Sequence, residues 1–143
     1  MRNMASAAVG NLGIAVFTAN SPTDEEWREM IALVKKADLA KFRGISFSDG
    51  GAPNSAQRKL MNDCTQEFPV PSVVVTSNTL VRGVVTAMSW FNKNMRSFSP
   101  DQIDDALRHL NVNDSEFGMI KLEVQRLVVK LGSPPLSCIP KNL

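Results

Sequence analysis

The order of segments predicts an α/β fold. We expect a mixed, mostly parallel sheet of about five strands, helices packed on it, and an extra helix near the C-terminus. Three observations predict this. Strand-like apolar runs alternate with segments of helical period along most of the 143 residues. Gly10-Asn11 separates two apolar runs and signals an opening hairpin, which gives the sheet one antiparallel strand. Helix-start chemistry recurs after the strand-like runs, at Ser21-Pro22, Asn54-Ser55, Ser77-Asn78-Thr79 and Ser99–Gln102.

Taken in order, residues 5–9 and 12–18 form the hairpin, the first strand being Ala-rich and a weak strand former. Ser21 reads as an N-cap with Pro22 at the first helical position, and Asp24, Glu25 and Glu26 suit the positive end of the helix. Trp27, Met30, Ile31 and Val34 then recur on one helical face. Arg43–Ser48 reads as a strand, 49–53 as a loop and 55–66 as a helix with Leu60, Met61 and Cys64 facing inward. The β-branched run in 71–76 is the pattern of a strand covered on both sides. The next helix presents Leu80, Val81, Val84, Val85 and Met88 inward, and Gly83 marks close packing against the sheet. Met95–Phe98 gives a last short strand, and Ser99–Gln102 reads as a capping box opening a helix over 100–110.

A final helix is expected over 115–131, with Phe117, Ile120, Val124, Leu127 and Leu131 at alternating three- and four-residue spacing. That seam packs on the domain itself or on a second copy, giving a homodimer or a homo-oligomeric structural protein. Residues 1–132 are expected as one domain, with 133–143 as a Pro-rich, flexible tail. Trp90-Phe91 reads as core or as an exposed aromatic anchor.

Bulk composition excludes several classes. With 43% hydrophobic and 21% charged residues the chain falls outside the disordered range. Its 16 basic and 14 acidic residues are scattered, so no basic stripe argues for nucleic acid. No apolar run has membrane-helix length. The N-terminal apolar stretch is broken by Gly10, Asn11 and Gly13 and is needed as strand, which argues against an export signal. Cys64 and Cys138 form neither a disulfide framework nor a metal site; Cys64 reads as a buried thiol and Cys138 as an exposed tail residue. A cytoplasmic location fits this usage.

The most pointed stretch is GISFSDGGAPNSAQR, residues 44–58, a strand entering a helix through a Gly-Gly loop. With NLGIAVFTANSPTDEEW before it, and PVPSVVVTSNTLVRGVVTAMSWFN and SFSPDQIDDALRHL after it, the order resembles the STAS superfamily. It is most similar to the small bacterial STAS/SEC14-type domains, including anti-sigma-factor antagonists. The likeness covers Val9 to Leu110. It implies a regulatory, non-enzymatic module that binds a protein partner such as a regulatory kinase or an anti-sigma-like factor. It also makes Ser55 the position matching the antagonists' phosphorylatable serine. Here Asn54 precedes Ser55, and Ala56 and Gln57 follow, where those antagonists carry Asp-Ser before Gly-rich residues.

From the residues alone, Asn54 or Ser55 is a helix cap, with Gln57 completing the box. The candidate recognition surface comprises Asp49, Gly50, Gly51, Asn54, Ser55 and Arg58, with Ser77, Asn78, Thr79 and Arg82 alongside. Their loops are expected to line one crevice at the strand ends, where α/β sheets bind ligands. The alternative function is therefore a small-ligand domain taking a phosphate, nucleotide or lipid-like molecule in that crevice. There is no P-loop and no G-x-G-x-x-G, so nothing selects a nucleotide. His109, the single histidine, reads as a surface residue without a nucleophile to serve. Neither catalytic nor metal residues are expected, and no cofactor.

Overall fold

The computed structural model describes residues 1–66, 68–89 and 94–143; the side chains of 87–89 also lie outside the description. The expected aromatic pair Trp90-Phe91 therefore lies outside the described residues, as does the side chain of Met88, expected to face inward. Five strands form one mixed sheet in the order β1-β2-β3-β4-β5: β1 (Met4–Val9), β2 (Leu12–Phe17), β3 (Arg43–Ser48), β4 (Ser72–Val75) and β5 (Met95–Phe98). β1 pairs antiparallel to β2, and the other pairs are parallel. The turn at Gly10-Asn11 supplies the hairpin.

The helices are α1 (Asp24–Lys35), α2 (Ser55–Thr65), α3 (Thr79–Ser89), a short 3-10 turn (Pro100–Gln102), α4 (Ile103–His109) and α5 (Asp114–Leu131). The parallel strands are laid down in sequence order, so right-handed crossovers place α1, α2 and α3 on one face. The opposite face must then be covered by whatever follows β5. α4 and α5 do this: Ile103, Leu107, Ile120, Val124 and Leu127 pack on Ile14, Val16, Ile45, Phe47, Val73 and Val75. The seam of α5 is spent within the domain, on β1 and β2.

Several local expectations are corrected. The N-cap of α1 is Thr23, not Ser21. Glu26 lies three residues after Thr23, and its buried carboxylate closes a capping box while also accepting the N–H groups of Asn3 and Met4. Burial alone would raise the Glu26 pKa, but the hydrogen bonds from Thr23, Met4 and Asn3 hold it below the ordinary value. Leu60, Leu80 and Val84 are exposed, and among the described side chains of α3 Val81 and Val85 are buried. Gly83 meets nothing within 4 Å, so it marks no close packing. His109 is half-buried, with Nε2 3.0 Å from the Asn94 carbonyl and its ring beside Phe98.

The tail is the largest correction. It is docked, with Cys138 fully buried and Leu136, Ile139 and Leu143 joined to the α5-side core. Four apolar side chains and a polar anchor at Asp49 overcome what its three prolines suggested. Cys138 is therefore interior, whereas Cys64, expected to be buried, is only half-buried.

Candidate functional site

The expected recognition residues fall into two groups. In the first, Asp49 accepts from Ser137 N and Oγ at 3.0 Å each and from Cys138 N at 2.8 Å. Ser77 Oγ lies 3.2 Å from Ser137 Oγ, so the chain's own tail covers this corner. Burial pushes the Cys138 thiol well up, and the adjacent Asp49 carboxylate pushes it further, which leaves it unreactive in the docked tail.

Gly50 has φ +135°, a conformation that favours glycine, and its N–H donates to Ser48 Oγ. At Gly51 a Cβ would stand 2.2 Å from the Asn20 carbonyl oxygen, so only glycine permits that approach. The Asn78 amide abuts Gly50, which brings the two loops together at the strand ends. Asn78 caps α3 by accepting from Leu80 N and Val81 N, and Thr79 is its exposed first residue. The Nε of Arg82 is buried without a partner among the described residues.

In the second group, Asn54 is the cap of α2: its Oδ1 accepts from Gln57 N at 2.8 Å, and Gln57 Oε1 accepts from Asn54 N at 3.0 Å. Ser55 is the exposed first helical residue, with Arg58 Nη2 3.2 Å from its hydroxyl. Gln57 is itself buried and reaches Pro22 O and Asp24 Oδ1, while Trp27 Nε1 donates to Gln57 O. These bonds clasp α1 to α2.

The apolar cavity among the described residues is not a strand-end crevice. It is a half-open recess of about 260 Å³ between the sheet and α1, α2 and α3, running the length of β3. Its floor is made mostly of small residues in register. One row runs Gly13–Gly44–Ser72, and the next Ser6–Ala15–Ser46–Val74. Trp27, Met30 and Val34 of α1, Met61 of α2, and Val81 and Val85 of α3 form walls and roof. α2 packs on α1 and α3 on β5; among the described residues α2 and α3 are not packed along one another. Phe68 and Val84, which line the recess at this gap, are each 44% exposed.

Of the expected site residues, only Gly51 and Arg58 line this recess. The floor went unread in the sequence, yet a signal was present. In LGIAVF and RGISFS every second residue is Gly, Ala or Ser over most of each strand, although a central parallel strand ordinarily carries bulk on both faces. Among the described residues no cluster of His, Cys, Asp and Glu could hold a metal ion, and no helix is long and apolar enough to cross a membrane. The chain matches no family model, no curated protein and no solved structure.

Proposed function

We propose that this domain binds a small, largely apolar molecule in the recess over β3. The observation that carries this reading is the floor of Gly13, Ala15, Gly44 and Ser46 in the middle of the sheet. Protein interiors are packed at crystal-like density, and gaps above the size of a few waters are uncommon in them. A space of about 260 Å³, close to the ~300 Å³ at which ligand pockets begin, is open to solvent beside Phe68 and Val84. Apolar walls with a few hydroxyls are the usual lining of small-molecule sites.

This is the lipid-like arm of the alternative that the sequence offered. A STAS-like regulatory role is compatible with it, and what supports that likeness is the strand–helix order. Arg58, beside the exposed Ser55, belongs to both the recess and the recognition corner, so a ligand there would reach a partner surface.

The test is titration with Nile red, a neutral apolar fluorophore, into the wild type and Ser46→Leu. Saturable one-to-one binding by the wild type is expected. In the variant it should be weakened by about an order of magnitude while the cooperative melt is retained, because leucine fills the floor. Equal binding by Ser46→Leu, or no saturable binding by the wild type, overturns the proposal.

A further inference from the structure

We infer that the molecule held in the recess is a single-chain anionic amphiphile, with its acidic head group at Arg58 and its chain lying along β3. This rests on the apolar-ligand reading above and specifies its chemistry.

Arg58 is the one charged residue among the described residues that line the recess. Arg2, Arg43, Arg108 and Arg126 all have carboxylate partners; Arg58, like Arg28, Arg82 and Arg96, has none within ion-pair distance among the described residues, and of these four it alone lines the recess. Its Nη1 donates to the Pro53 carbonyl at 2.9 Å and its Nη2 to Ser55 Oγ at 3.2 Å. A guanidinium has five N–H donors in a planar fork, so these two bonds fix its orientation and leave donors unused. A half-buried, uncompensated cation at the edge of an apolar space is costly unless an anion joins it.

The recess is also polarised along its length. Arg58 stands where β3 ends, beside Ser48, Ala52 and Pro53, which line the same end. The far end is lined by Phe42, Val70 and Phe68, with the Phe42 ring seated on Gly13. From Gly44 to Ser48 the floor extends four residue steps, roughly 13 Å at a ~3.3 Å rise. An elongated space with a cation at one end and apolar walls beyond it is complementary to a head group carrying one chain. A small anion would leave the walls unfilled, and a hydrocarbon would leave Arg58 unpaired. Carboxylate and phosphate both accept bidentate bonds from a guanidinium, so either head group satisfies the site.

The test is displacement of bound Nile red by dodecanoate, dodecyl phosphate, dodecanol and inorganic phosphate, with the two anionic amphiphiles below their micelle-forming concentrations and dodecanol below its solubility limit. Both anionic amphiphiles are expected to displace the probe at concentrations about an order of magnitude below dodecanol, and inorganic phosphate not at all. Whichever anion is tighter assigns the head group. In Arg58→Gln the ratio of dodecanol to dodecanoate midpoints should fall to near unity, and Arg58→Lys should restore part of it. The inference is overturned if dodecanol competes as well as dodecanoate in the wild type, which requires no variant. It is also overturned if a folded Arg58→Gln keeps the anion preference, or if inorganic phosphate alone displaces the probe. Those outcomes leave the recess reading standing. Loss of Nile red binding itself would instead remove the recess reading.

Discussion

The two faces of the sheet are built by opposite rules, although they share the same strands. Toward α4 and α5 the strands present Leu12, Ile14, Val16, Ile45, Phe47, Val73 and Val75, and the space is filled. Toward α1, α2 and α3 the alternate positions are mostly Gly, Ala and Ser, and a recess is left. Because strand side chains alternate, bulk on one face and its absence on the other can be specified independently within one strand. The filled face supplies most of the dry packing. On the recess face, α1 is also held by polar clasps: Glu26 to the N–H groups of Asn3 and Met4, and Trp27 and Asp24 to Gln57. Such a division lets one half of a small domain provide stability while the other keeps space for a ligand.

The sharpest way to break this comparison uses neighbours in β3. Phe47→Ala should cost about 3–5 kcal/mol in urea unfolding, since it empties a fully buried site in the filled core. Ser46→Leu, one residue away on the other face, should leave stability near wild type. Comparable losses at both positions would mean that the recess face is packed as tightly as the other.

A smaller effect tests the clasps. The Glu26 carboxyl has a lowered pKa in the folded protein, so its contribution is present above the unfolded carboxylate pKa and is lost as pH falls through the folded one. Glu26→Gln should therefore be less stable than wild type by roughly 2 kcal/mol at pH 7, the scale of hydrogen bonds to a charged group. That gap should close as pH falls below about 4. A constant gap across this range would show that the charge plays no part.

The smallest effect concerns the seal over the filled face. Asp49→Ala removes the acceptor for Ser137 and Cys138, and should cost about 1 kcal/mol while raising the alkylation rate of Cys138. An unchanged Cys138 rate would show that the apolar residues of the tail dock it without Asp49.

Much of the fold was legible because it rests on local chemistry. Asn54 with Gln57 is a capping box whether or not the rest of the chain is present, and the Gly10-Asn11 turn needs only its two strands. Strand bounds at Arg43–Ser48 and Met95–Phe98 agree with the sequence reading for the same reason. Thr23 was missed as a cap because what favours it over Ser21 is Glu26, whose carboxylate is held partly by β1, twenty-two residues away. The tail was misread because prolines report local stiffness, whereas its anchor, Asp49, is 89 residues from Cys138. The recess was half visible: small residues at alternate positions of β2 and β3 were there to be counted, but not the gap between α2 and α3 above them.

By itself the sequence determined the alternation of strands and helices, the caps, and the hairpin that makes the sheet mixed. These follow from periodicity and from hydrogen bonds closed within a few residues. Only the tertiary structure decided that the strands lie in sequential order. That order, with right-handed crossovers, puts three helices on one face and leaves the other to α4, α5 and the tail. It also decided that the small residues of β2 and β3 line up into one floor, since register between strands is a long-range property that no single strand encodes.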